Sequence, residues 1–320
     1  MRLLKLVPDN TNIGFVRLRH WAFGLTAALT LAAIALVAVR GLNLGVDFVG
    51  GVMIEARFQQ APSLDQVRAD VDRLGVGEAA LQTFGAPNVV SIRLPNPNNN
   101  DEGATNRLVH NVQAALQAKY PGIAFNRAET VSGKVSGELV RNGLLAVFLA
   151  VLGIAVFSWI RYEWEFGVST FVAIAHDVLM TLGFFALTRL EFDLNIVAAV
   201  LTIIGYSIND KIVIDDRIRE NMRKYRQMDM RALVDLSVNE TLPRTVMTSI
   251  TILLALAALL VFGGPVLRGF TAAMMLGVIV GTYSSIYVSS SLLITLGLKP
   301  RALNLKPASG PAAGAERITR

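Results

Sequence analysis

The stretch GYSINDKIVIDDR runs from Gly205 to Arg217 and closes a segment, about 194–214, that otherwise reads as a membrane-spanning helix. Asn209, Asp210 and Lys211 interrupt that apolar pattern where a charge is costly. Whether the pattern is a membrane span decides the fold. The chain has 320 residues, 53% of them hydrophobic and only 17% charged. A soluble chain of this size carries about a quarter charged residues. Crossing a bilayer takes roughly 20 mostly apolar residues in helix. Six stretches qualify: about 21–39, 143–160, 166–188, 194–214, 246–262 and 269–297. The first, WAFGLTAALTLAAIALVAV, and the fifth, VMTSITILLALAALLVF, hold no charge at all. One such run can belong to a buried soluble helix, but six predict a polytopic α-helical membrane protein.

The net charge of +6 does not point to nucleic acid, because the cations are segregated. Arg2, Lys5, Arg17 and Arg19 precede the first span. Arg217, Arg219, Arg223, Lys224, Arg226 and Arg231 follow the fourth, and Lys299, Arg301 and Lys306 follow the sixth. The loops between the third and fourth and between the fifth and sixth spans hold only Arg189 and Arg268. Cytoplasmic loops are the cation-rich ones, so both termini are expected in the cytoplasm. The first span, within segment 1–40, reads as an uncleaved anchor, since Arg40 stands where a small-residue cleavage site would be. Residues 299–320 read as a disordered cytoplasmic tail. There is no cysteine, which excludes disulfide and thiolate chemistry.

Residues 41–142 separate the first two spans, and by this orientation form an outer, periplasmic domain; 143–298 form a five-helix bundle. GVMIEARF (51–58) alternates as a strand does. SLDQVRADVDRL (63–74) has helical spacing, with Ser63 as a candidate N-cap. AALQTFG and NVVSIRL read as strands joined by a turn around Ala86–Asn88. PNPNNNDEG is a loop, TNRLVHNVQAALQAKY a helix, and IAFNRAETV a last strand. The order β-α-β-β-α-β predicts a small ferredoxin-like α/β domain. His110 stands alone on a solvated helix face, and no metal or catalytic cluster accompanies it. The chain carries no G-x-x-x-x-G-K-[ST] loop for a nucleotide. An enzyme is not expected; any work needs a partner or an ion gradient.

Intramembrane ionisable residues are the candidate functional groups. His176 and Asp177 lie mid-way along the third span, and Asp210 near the cytoplasmic end of the fourth. Arg244 opens the fifth span at similar depth. Tyr206, Ser207 and Asn209 flank Asp210, and Thr248, Ser249 and Thr251 can extend a hydroxyl file. A carboxylate held between burial and a nearby cation can take up and release a proton. The alternatives are structural. Asp210 ends its helix at the headgroups, salt-bridged to Lys211 or Arg244; Asp177 bonds a backbone group; His176 packs. Asp215, Asp216 and Arg217 read as a solvated helix extension, and Gly277, Gly281, Ser285 and Ser289 as a small-residue packing face.

Six segments together carry a resemblance: GVDFVGG (45–51), HDVLMTLG (176–183), FDLNIVAAVLTIIGYSIND (192–210), DRIREN (216–221), TLPRT (241–245) and FGGPVLRGF (262–270). In these, and in its one-span, domain, five-span layout, the chain resembles the SecD/SecF family of bacterial protein-export membrane proteins, and within it the SecF branch. The resemblance implies a half-RND architecture in the inner membrane and a SecD partner. It also implies action beside the SecYEG channel with YajC and YidC, and use of the proton-motive force to help unfolded preproteins leave on the periplasmic side. Protons are then the coupling ion, with no cofactor. It implies that Asp210 binds the proton and Arg244 answers it. Asp47, with Gly50 and Gly51, would serve coupling or domain posture; the alternative for Asp47 is a turn-stabilising group. Lys211 departs from the family's usual Ser or Thr, either tuning Asp210 or snorkelling to headgroups. Two rival readings are a small-molecule RND exporter and a scaffold that moves no protons.

Overall fold

The structure is a computed structural model; it describes residue 8 and residues 11–95 and 102–299. The tail at 300–320, Arg2, Lys5 and most of the PNPNNNDEG loop lie outside the described residues. Six helices are long and apolar enough to cross a membrane, beginning with Val16–Arg40, a 3-10 turn running into α1 (Arg19–Arg40).

After α1 come β1 (Asn43–Leu44), the single turn α2 (Val46–Val49), β2 (Gly51–Arg57), α3 (Leu64–Asp72), β3 (Ala80–Phe84), β4 (Ala86–Leu94), α4 (Glu102–Lys119) and β5 (Ala124–Val131). The four-stranded sheet is antiparallel in the order β3-β4-β2-β5, which is the ferredoxin-like arrangement the segment order predicts. Val52, Ile54 and Ala56 alternate onto the face covered by α3 and α4, where Val67, Val71, Val112 and Leu116 complete the core. Local details differ from expectation. Ser63 occupies the N-cap position of α3 but makes no cap bond with its side chain. The β3–β4 turn falls at Gly85 (φ 75°), one residue before the expected Ala86–Asn88, because only glycine enters that region without strain. His110 is exposed, as expected.

The bundle follows: α5 (Gly133–Arg161), α6 (Trp164–Thr188), β6 (Glu191–Phe192), α7 (Leu194–Lys224), α8 (Met230–Phe262), α9 (Gly264–Tyr283), a π-helical segment at Ser284–Ser289, and α10 (Ser290–Thr295). Two helices start well before the expected spans. Helix α5 begins at Gly133 rather than 143, which extends it by about 15 Å at 1.5 Å per residue. Helix α8 begins at Met230 rather than 246. The polar stretches at their starts lower hydropathy while the backbone stays helical, in α8 even across Pro243, which has no N–H to donate.

Helices α1 and α5 expose Leu, Phe, Ile and Trp along most of their length, whereas α6, α7 and the last span bury their polar residues between them. Close approach explains the glycines of the last span. A Cβ on Gly277 would fall inside van der Waals contact with the buried Ile203 of α7, and one on Gly281 would meet Ser207 Cβ at 3.1 Å. The small-residue face therefore packs within this chain. Gly277→Ala should lower the melting temperature in detergent, an overpacking cost of about 1–3 kcal/mol; an unchanged melt would mean that Ile203 has room to move.

Candidate proton-binding site

The α/β domain meets the bundle through a parallel pairing of β1 with β6, Asn43 opposite Glu191 and Leu44 opposite Phe192. Arg189 ends α6 in the left-handed region (φ 60°) and donates to the carbonyls of Arg40 (2.8 Å) and Gly41 (2.9 Å), tying α6 to the end of α1. Asp47 sits on α2, yet its Oδ2 accepts the Leu194 N–H at 2.9 Å, 147 positions away. Asp193 caps the same helix from its own Oδ1 to Ile196 N–H at 3.1 Å. Two carboxylates thus meet the free N–H groups that open α7, where the helix dipole favours negative charge. Asp47 does not stabilise a local turn. Gly50 (φ 74°) and Gly51 (φ 119°) follow it, and Gly50 passes so close to α5 that a Cβ there would lie 3.3 Å from Gly133 Cα and Ser136 Oγ.

Burial pushes the Glu191 and Asp193 carboxyls above the usual carboxylate range. Arg93 opposes this for Glu191, and bonds from Asn195 and Ile196 oppose it for Asp193, while the Asp47 charge adds to both. A raised value in the folded state means the folded joint holds protons more tightly than the unfolded chain. Its stabilisation is complete in acid and is lost as pH rises through the shifted values. Amide exchange at Leu44 and Leu194, corrected for intrinsic rate, should therefore be slower in acid than in mildly alkaline buffer. Protection that grows with pH would contradict this.

Helix α7 carries two polar faces about 100° apart. On the first, Asp210 is 3% exposed and its Oδ2 is buried with no hydrogen-bond partner. No ion pair joins it to Arg244, whose side chain is exposed on α8. Tyr206, one turn earlier, lies 2.9 Å from Ser249 Oγ of α8, which lies 2.8 Å from Thr282 Oγ1 of α9. Thr282 donates to the Val278 carbonyl at 2.8 Å. Its single hydrogen is then used, so the file donates in one direction, from Tyr206 through Ser249 to Thr282. Thr248 and Thr251 take no part, since their hydroxyls return to carbonyls of their own helix. Asn209 is exposed and Ser207 faces elsewhere, so neither stands with Asp210.

The second face carries Ser207, Lys211 and Asp215 at successive helical turns. Asp177 is fully buried; its Oδ2 accepts from Ser207 Oγ (2.6 Å) and lies 2.9 Å from Ser284 Oγ. Its Oδ1 lies 3.0 Å from His176 Nδ1, while His176 Nε2 is buried without a partner. One layer on, Lys211 Nζ reaches Asp215 Oδ2 (2.9 Å), Ser169 Oγ (2.9 Å) and Ser289 Oγ. Both Lys211 and Asp215 are 2% exposed. This corrects two expectations. Lys211 does not snorkel to headgroups, and Asp215 is not a solvated extension; each charge is held by the other because neither reaches water. Asp216 is exposed, as expected, and accepts from Tyr162 at 3.0 Å. The π turn lets the last span reach both layers, with Ser284 at Asp177 and Ser289 at Lys211. The sequence reading missed this face because nothing local marks Ser169 and Ser289 as partners of Lys211.

Comparison with known proteins fits this geometry. The family profile "Protein export membrane protein SecD/SecF, C-terminal" matches residues 111–299. The "SecD/SecF GG Motif" profile matches 35–62, which holds Asp47, Gly50 and Gly51. The Protein translocase subunit SecF of Rickettsia rickettsii is 40% identical over 91% of this chain and 94% of its own length. This chain belongs to the SecF family. The SecF subunit of Cereibacter sphaeroides is 42% identical, over 92% of this chain and 93% of its own. The crystal structure of SecDF from Thermus thermophilus, a translocon-associated membrane protein, superposes with a TM-score of 0.82 at 35% identity. It covers 91% of this chain, which spans 39% of that longer one. SecDF in a super-membrane-facing form gives a TM-score of 0.65 at 34% identity. Membership in the SecF family makes the chain a translocase subunit with a role in protein export.

Proposed function

We propose that this SecF-family chain couples inward proton movement through Asp210 to the export of unfolded preproteins. It would act beside SecD, at the SecYEG channel with YajC and YidC, in a bacterial inner membrane with both termini cytoplasmic and the α/β domain periplasmic. The observation that carries the reading is Asp210 itself, a buried carboxyl on a membrane helix whose Oδ2 has no partner. A charged Asp at a helix centre costs about 2.5–3.5 kcal/mol. Neutral, it is tolerated; ionised, it draws on Arg244. Gain and loss of the proton therefore change the attraction between α7 and α8.

Asp177 and the Lys211–Asp215 pair fix α7 to α6 and the last span, so the response falls to α8. That helix has a route outward. Asn239 Oδ1 accepts the Ile13 N–H (2.9 Å), and its Nδ2 donates to the Ile13 carbonyl (2.8 Å). Asp235 accepts the Val16 N–H at 2.9 Å. Helix α8 thus grips the segment that enters α1, and α1 leads to the joint at Arg189. One proton crossing the field supplies about 2.3 kcal/mol per 100 mV, which biases a two-state arrangement about fiftyfold.

The test is proton flux in vesicles that contain this chain and SecD. Adding unfolded preprotein should accelerate proton movement for the native chain and not for Asp210→Asn. Equal flux from both would end the reading.

A further inference from the structure

His176 lies mid-way along α6 and is 4% exposed, yet coupling through Asp210 gives it no role. An ionisable group at that depth is costly to keep. Its two ring nitrogens stand differently. Nδ1 is 3.0 Å from Asp177 Oδ1, whereas Nε2 is buried with no partner. Asp177 decides the tautomer. Its Oδ2 accepts from Ser207 Oγ at 2.6 Å and has Ser284 Oγ at 2.9 Å, the arrangement of an ionised carboxylate, which only accepts. Oδ1 then takes the remaining donor, the Nδ1–H of the imidazole, and Nε2 is left with a bare lone pair.

Charge balance singles out the same atom. With the ring neutral, the dyad holds one uncompensated negative charge. The packed helices bring few ionisable groups near it. Residues 21–39 of α1 and 142–160 of α5 include none. Helix α7 brings Lys211, one layer on, whose charge is taken by Asp215; Asp210 and Tyr206 belong to its other face. The last span brings Tyr283, whose ring centre is 6.4 Å from that of His176, with Tyr287 stacked on it. A proton on Nε2 makes the dyad neutral overall, at the cost of a new N–H that needs an acceptor. Acceptors stand at the right depth. Helices α1 and α6 run in the same direction, their ends tied by Arg189, with Ala33 packed on Gly183. Two turns back, Thr26 is level with His176. Thr26 Oγ1 is 3.0 Å from the Tyr283 hydroxyl, which donates to the Ala22 carbonyl at 3.2 Å.

We infer that the His176–Asp177 dyad is a second proton-carrying site of the bundle, separate from Asp210. Nε2 takes up the proton and releases it, and Asp177 stays ionised and orients the ring. The inference rests on the proton-coupled reading above and adds a second carrier to it.

Nitrogen NMR reads the site directly, because the chain has three histidines and the other two, His20 and His110, are exposed. The full chain carrying His20→Gln and His110→Gln, isotope-labelled at histidine and reconstituted with unlabelled SecD in lipid vesicles, leaves one imidazole to follow. In mildly alkaline buffer Nδ1 should carry hydrogen and Nε2 none; in mildly acid buffer both should. Asp177→Asn should move the single proton of the neutral ring to Nε2, a change of tautomer that lost packing alone does not produce. An Nε2 that stays bare, or stays protonated, in both buffers would overturn the assignment. In the same vesicles His176→Gln keeps an amide that can donate to Asp177 but cannot carry a proton. It should lose the proton flux that preprotein stimulates, and native flux from it would equally overturn the assignment. Should that variant fail to accumulate, the NMR titration decides alone. The two readings fail separately. If Asp210→Asn stops flux while Nε2 never titrates, the dyad falls and Asp210 stands. If Nε2 titrates and His176→Gln stops flux while Asp210→Asn does not, the Asp210 reading falls and the dyad stands.

Discussion

Asp210→Asn is expected to reduce export to the level seen without the chain, while the protein still accumulates and assembles. The substitution keeps the shape of the side chain and places an amide where Oδ2 lacks a partner. It removes only the change of charge. The packing around α7 relies on Asp177, Lys211 and Asp215, none of which Asp210 touches through a hydrogen bond, so folding should survive. What is lost is the roughly fiftyfold bias that one proton per 100 mV can supply. Pulse-labelled secretion of a preprotein, with membrane levels of the subunit measured alongside, reads both quantities. Secretion at the native rate would leave the chain as a scaffold. A small-molecule exporter would instead show altered drug susceptibility on deletion, with secretion intact.

The second large effect is expected at Lys211. Lys211→Met should cost about 3–5 kcal/mol of stability, because it leaves the Asp215 carboxylate buried and unpaired. Against a typical total of roughly 5–15 kcal/mol, that is enough to deplete the protein from the membrane. The double variant Lys211→Met/Asp215→Leu removes both charges and should recover most of the loss, since apolar replacements of a buried pair are often neutral. Thermal melting in detergent compares the three proteins. If the single and double variants melt together, the pair is not what holds this layer.

The contrast between these two predictions shows how far the sequence can be read. Span number and the ferredoxin-like order are legible because each rests on a local period: long apolar runs for the spans, and alternation broken by turn residues for the strands. Asp210 and Arg244 are legible as charges misplaced in such runs. The fate of Lys211 and Asp215 is not. At four residues apart they look like an ordinary exposed helix pair; burial comes from α6 and the last span, 42 and 78 positions away. Asp47 is similar, since its partner N–H is 147 positions along the chain. Asn209 shows the converse error. Adjacency to Asp210 suggested a shared role, but neighbours on a helix point about 100° apart, and Asn209 faces outward. The starts of α5 and α8 lie outside the apolar runs, because hydropathy measures the slab of lipid and not the length of the helix.

The wide turn at Ser284–Ser289 has one more implication. On a regular α-helix, residues five apart point about 140° away from each other. Ser284 and Ser289 could not then both greet α7; one hydroxyl would swing toward lipid and strand its charged neighbour. The extra residue works as a vernier, resetting the angular phase of the final rod so that two rungs meet a facing ladder. Sliding that rod by a single position would break both rungs together, which makes the last span an indexed part, seated in one notch and no other.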